Sequence, residues 1–152
     1  MTDKTELELG IHQTHDEHLR LHQLLDACRR ALDFQGTPQP ALLAKLQATL
    51  TELHDHLAGH FTQEENGGWL EEAVTRLPRL AKQLNVLEKQ HAALLGRLAL
   101  LIELMQTTPA DKDTVKKAVA QFDAFAKQLL AHEACEERIL QQGFNEDLDL
   151  CE

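Results

Sequence analysis

Apolar residues recur along most of this chain at alternating intervals of three and four. That spacing lines up one face of an α-helix and is unlike the strict alternation of a strand. Four stretches carry such a seam. The first runs through Ile11, Thr14, His18, Leu21, Leu25, Cys28 and Leu32, and the second through Leu46, Leu50, Leu53, Leu57, His60 and Glu64. The third takes Leu80, Leu84, Leu87, His91, Leu94, Leu98, Leu101 and Met105, and the fourth Val115, Ala118, Phe122, Phe125, Leu129, His132, Glu136 and Ile139. Breakers part the seams at Gly36-Thr37-Pro38, Asn66-Gly67-Gly68, Leu77-Pro78 and Thr107-Thr108-Pro109. The pattern predicts helices over about 9–34, 39–66, 78–107 and 111–142, a short helical piece from Trp69 to Thr75, and a loose acidic tail over 143–152. Seams of this kind belong to helices packed at shallow angles, so the expected fold is all-α, one antiparallel up-down four-helix bundle spanning residues 1–152.

Composition narrows the partners rather than the fold. A length of 152 residues with 43% hydrophobic content suits one domain with a full core. The abundance of Leu, Ala, Glu, Gln and Lys and the absence of Tyr favour helix over sheet. The formal charge of −10, with no row of Lys or Arg along one face, argues against nucleic acid and against an anionic membrane surface. The longest apolar run, Ala92 to Met105, is interrupted by Arg97 and Glu103, and residues 1–20 carry no signal-peptide core. A soluble, cytoplasmic protein is expected. Cys28, Cys135 and Cys151 are odd in number and irregular in spacing, which suggests neither a disulfide framework nor a zinc knuckle.

The polar residues within the apolar seams carry the chemistry. His18, His60, Glu64, His91, His132 and Glu136 all fall on a seam, where a buried imidazole or carboxylate costs several kcal/mol without a partner. The other five histidines, His12, His15, His22, His54 and His56, fall off the seams. His60 follows His18 by 42 residues and His132 follows His91 by 41, so the chain reads as two similar helix pairs, each with one lone His and one His-x3-Glu. Counted from the turns, the two histidines of each pair differ by about six residues, or roughly 9 Å of rise, which the connections must absorb. Four imidazoles and two carboxylates exceed the four ligands of a structural zinc. Two ions fit better, with Glu64 and Glu136 bridging and positions left open for water, hydroxide or dioxygen. Such donors suit iron or manganese, and zinc stays open. Iron is preferred here, because open positions in an oily bundle are what oxygen chemistry needs. The order His-x3-Glu differs from the Glu-x-x-His of ferritin-like bundles.

Asp16-Glu17-His18 with Leu24-Leu25, the run His60-Phe61-Thr62-Gln63-Glu64-Glu65, Gln90-His91, and His132 through Glu137 resemble the hemerythrin-like, or HHE cation-binding, family over nearly the whole chain. The resemblance implies a hemerythrin-like bundle with a non-haem di-iron centre. Its two iron ions would be bridged by carboxylates and an oxo or hydroxo group, with His18, His60, Glu64, His91, His132 and Glu136 at the ligand positions. It also implies a small ligand such as dioxygen or nitric oxide, or a role in sensing or handling iron. Two positions depart from the oxygen carriers of the family. They have a second histidine where this chain has Leu87, and they end with His-x4-Asp where this chain offers Glu136 and Glu137. More open iron reacts or exchanges rather than carries, so sensing, detoxifying and metal-handling roles are expected over reversible carriage. His15 or His22 could replace the missing imidazole, but both are read as supporting or rim groups.

The remaining groups receive plainer readings. His54 and His56 are expected to be solvated or capping, His12 at the surface, Cys28, Phe122 and Phe125 in the core, Cys135 in packing, and Trp69 a plug at the site end of the bundle. No nucleophile with an activating base and no phosphate loop appears, so hydrolase or transferase chemistry has nothing to rest on, while redox activity at the metal stays open. Two classes of function follow: a di-iron module that binds or reacts with dioxygen, peroxide or nitric oxide, and an iron-binding or iron-sensing module without turnover. A zinc-filled or metal-free structural bundle stands third. The protein partner is left open.

Overall fold

The computed structural model describes residues 4–33, 38–66, 68–107 and 111–144, with the side chains of 4–13 and 107 left out. Helix α1 runs Lys4–Leu32, α2 Pro40–Glu65, the short α3 Trp69–Arg76, α4 Ala81–Thr107 and α5 Lys112–Phe144, with a 3-10 turn at Pro78–Leu80 leading into α4. The four long helices form a closed ring of neighbours in the order α1, α2, α4, α5, and α3 lies across one end against α5, α4 and α1. Among the described residues no helix is long and apolar enough to cross a membrane.

Helix limits follow local chemistry. Pro40 occupies the first turn of α2, where its missing N–H is no loss. Asp111 Oδ1 accepts the N–H of Thr114 at 2.7 Å and so starts α5. That start corrects one seam position: Thr114 is buried and Val115 only half-buried, because counting back from Ala118 by three or four allows either. Helix α1 also begins earlier than expected, at Lys4, and α5 continues through Gly143 to Phe144. Gly143 is no C-terminal stop but a packing residue against Ala73 of α3. The rest of the expected tail, residues 145–152 with Cys151, lies outside the described residues, as do Gly36, Thr37, Gly67, Thr108, Pro109 and the side chains of Ile11 and His12.

The interior is divided in two. A long apolar cluster fills the bundle from Leu21, Leu57, Leu94 and Leu129 down to Leu32, Leu46, Met105 and Ala118. A smaller one, made of Leu70, Ala73, Leu80, Leu84, Leu87, Ile139 and Leu140, lies under α3. Trp69 packs against this second cluster, in keeping with a plug at that end. Cys28 is fully buried in the first, where desolvation and then the charge of Glu52 push its thiol up to about 12, an unreactive value. In sequence order Leu87, His91 and Leu94 step from one cluster to the other, and so do Leu129, His132 and Ile139. A polar layer is therefore held between two oily ones.

Candidate metal centre

All six expected donors lie in that layer and all are buried. The His18 and His60 rings are 5.3 Å apart and the His91 and His132 rings 5.0 Å, so the stagger within each helix pair is absorbed. The levels match because α2 starts 20 residues before His60 whereas α1 ends 14 after His18, leaving the first turns of α2 to overhang. Facing donor atoms fall into two groups: Glu64, His91, His132 and Glu136, and His18, His60 and Glu136, with Glu136 common to both. Glu136 Oε2 lies 3.3 Å from His18 Nε2 and 3.9 Å from His60 Nε2, and its Oε1 lies 2.5 Å from His132 Nε2. Glu64 Oε1 stands between His60 Nε2 at 3.2 Å and His91 Nε2 at 3.7 Å.

Three of the four imidazoles are held from behind by a hydrogen bond, and the holding residue is each time the sequence neighbour of a donor on the next helix round the ring. His60 Nδ1 bonds to the carboxylate of Glu17, which precedes His18. His91 Nδ1 donates to Glu65 Oε1 at 2.8 Å, and Glu65 follows Glu64. His132 Nδ1 donates to the Gln90 side-chain oxygen at 2.8 Å, and Gln90 precedes His91. Glu137, next to Glu136, takes the fourth place in the ring, but its Oε1 stands 3.7 Å from His18 Nδ1, beyond hydrogen-bond distance, and that nitrogen has no hydrogen-bond partner. In His60, His91 and His132 donation through Nδ1 fixes the tautomer and leaves a bare Nε2 lone pair pointing inward. Phe61 adds steric support, stacked on His91 at 3.9 Å and edge-on to His132 at 5.4 Å.

The inward atoms have no hydrogen-bond partner within the protein. Nε2 of all four histidines and both oxygens of Glu64 and Glu136 are buried without a hydrogen-bond partner. Acceptors facing acceptors at such distances repel one another unless a cation or a proton lies between them. The donor set therefore fits metal ions: nitrogen and oxygen donors converge, oriented and free of competing bonds. Protons are the substitute when no cation is present. Desolvation, reinforced by the adjacent Glu136 carboxylate, raises Glu64 far above the carboxylate range. Burial pushes Glu136 the same way, but His132, His18 and His60 outweigh it and hold its carboxyl well below normal. Burial lowers His18, yet Glu136 and the charges of Glu133 and Glu137 overcome it and the imidazole ends above its usual value. For His91, burial wins over the bond to Glu65, and its pKa falls.

The alternatives raised by the sequence sort cleanly. Neither His15 nor His22 joins a donor group: His15 is exposed beside Glu137 at 3.6 Å, and His22 bonds to Glu133. Glu136 faces inward and Glu137 outward, so the spacing that reaches the interior is x3. Leu87 sits in the apolar cluster under α3. His54 and His56 are partly exposed on α2, and His54 Nδ1 meets the neighbouring Asp55. Cys135 packs beside the second cluster and lines a cavity of about 320 Å³ between α4 and α5, with Gln90, Arg138 and His132 also on its wall. Glu17, Glu65 and Gln90 were visible only as parts of a motif, without a role, and Phe61 and Glu133 were not singled out as buried.

Residues 9–143 match the family described as the hemerythrin HHE cation binding domain. Neither the comparison with curated proteins nor that with solved structures finds a match.

Proposed function

The chain belongs to the hemerythrin HHE cation-binding family and so binds metal cations, and from that premise we propose that it is a non-haem di-iron protein that binds, senses or reacts with dioxygen, peroxide or nitric oxide. One observation carries the reading: every inward donor atom of His18, His60, Glu64, His91, His132 and Glu136 is buried and unpartnered, in two groups that share Glu136. Two donor groups sharing one carboxylate would hold two ions more readily than a single closed zinc, and of the two carboxylates expected to be shared, Glu136 belongs to both groups and Glu64 to one. Iron bound there would supply open coordination positions and electrons for oxygen chemistry. The protein's part is to orient the imidazoles of His60, His91 and His132 through Glu17, Glu65 and Gln90 and to keep bulk water out with the two apolar clusters. The cavity beside His132 offers a small molecule a short approach between α4 and α5.

A second reading, iron binding or sensing without turnover, draws support from the position of the layer. It ties all four long helices together between two cores, so metal occupancy would change how they pack. An optical experiment separates the two. The iron-loaded chain should show near-ultraviolet charge-transfer absorption that changes on exposure to dioxygen or nitric oxide. Absorption indifferent to both ligands favours the second reading.

A further inference from the structure

One buried carboxylate is left over after the donors and their holders are assigned. Glu133, next to His132, is only 6% exposed, although it belongs to neither donor group. Its two oxygens have different surroundings. Oε2 lies 2.7 Å from Nε2 of His22, a ring half open to solvent on α1. Oε1 is buried and has no hydrogen-bond partner. On α5 Glu133 lies three residues before Glu136, and its partner His22 lies four residues after His18 on α1, so the carboxylate stands one helical turn from this donor group, near enough for its charge to act on His18 and Glu64. A buried acceptor left bare in this way is costly, and among the described residues nothing donates to it. The donor group nearest to α1, His18, His60 and Glu136, is also the poorer one, with three residues against four. An ion there keeps more positions for an external ligand.

We propose that Glu133 determines which external ligands the ion between His18, His60 and Glu136 accepts. Its free oxygen takes a hydrogen bond from a ligand that carries a proton, such as water or hydrogen peroxide, and its charge turns away small anions that carry none. His22 is the positioning residue that anchors the other oxygen and so aims the free one. The inference rests on the dinuclear reading above, and it adds to that reading a preference between two ligand classes.

Azide serves as the proton-free anion. The chain is loaded with ferric iron, its metal content measured, and azide titrated at neutral pH by visible absorption, for the wild type, Glu133→Gln and His22→Ala. Glu133→Gln removes the charge at constant size and leaves an amide able to donate. It should keep two ions per chain and bind azide at least about tenfold more tightly, the effect of one nearby charge in a partly buried site. His22→Ala, outside the donor layer, releases the anchor and should tighten azide binding by a smaller factor, so the claim stays testable if Glu133→Gln does not fold. Unchanged azide affinity in both variants with two ions retained overturns the proposal. So does loss of an ion from Glu133→Gln, which would make Glu133 a structural support or ligand. A wild-type chain that takes up no iron overturns the dinuclear reading itself, and this is seen before any azide is added.

Discussion

Glu65 shows how much at this site depends on single residues that never touch the interior. It is exposed, yet its carboxylate takes the Nδ1 proton of His91 and thereby aims Nε2 at Glu64. Replacing it with Ala should leave the helical content intact and weaken metal affinity by about 10- to 100-fold, measured by competition with a chelator; an unaltered affinity would show that packing against Phe61 alone orients the ring. The donors were legible in the sequence because a polar residue in an apolar seam stands out. Their holders were not, because Glu17, Glu65 and Gln90 lie one residue off the seam, where charged and amide side chains are ordinary. Glu133 and Phe61 were missed for another reason. Leu129, Glu133, Glu136 and Leu57, Phe61, Glu64 also follow the three-and-four spacing, so the buried stripe is wider than the single seam used to read it.

At the level of elements, the docking of α3 on α5 depends on one glycine. A Cβ on Gly143 would stand 2.4 Å from the Ala73 Cβ and 2.6 Å from its Cα, so Gly143→Ala must push α3 away from the bundle end. We expect it to destabilise the metal-free chain by about 1–3 kcal/mol, despite the better helix propensity of Ala. Gly96→Ala in α4, where an added Cβ meets nothing within 4 Å, should instead gain about 0.5–1 kcal/mol. Chemical denaturation of both variants tests the pair, and a stabilising Gly143→Ala would refute the close approach. The same contact explains why the end of α5 was misjudged. Glycine late in a helical pattern ordinarily marks a stop, and only the tertiary contact with Ala73 shows that it is needed inside the helix. Breakers and apolar periodicity made the four long helices and the short α3 readable, since those signals are local. The ring order and the overhang of α2 depend on contacts between helices and are not local.

For the molecule as a whole, the polar layer makes stability a matter of what neutralises it. Glu64 and His18 hold their protons more tightly in the folded chain than outside it. Such groups stabilise the fold below their ordinary pKa values, and that contribution is lost as pH rises toward the raised ones. Glu136 and His91 shift the other way and act at lower pH, so above the ordinary histidine value of 6.5 the first pair governs, and the raised Cys28 thiol adds to the same trend near the upper end of the interval. The metal-free chain should therefore melt at lower temperature as pH rises from about 6.5 to 8.5. Cations displace those same protons, so metal affinity should increase over that interval. Calorimetry at several pH values follows both trends, and a metal-free melting temperature that rises with pH would contradict the assignment. The most direct test of the dinuclear centre is the iron content of reconstituted, desalted protein carrying Glu136→Ala, compared with wild type and with His56→Ala. Because Glu136 belongs to both donor groups and His56 to neither, the account predicts two ions per chain in the wild type and in His56→Ala and fewer than one in Glu136→Ala. Full occupancy in Glu136→Ala, or an equal loss in His56→Ala, would contradict it.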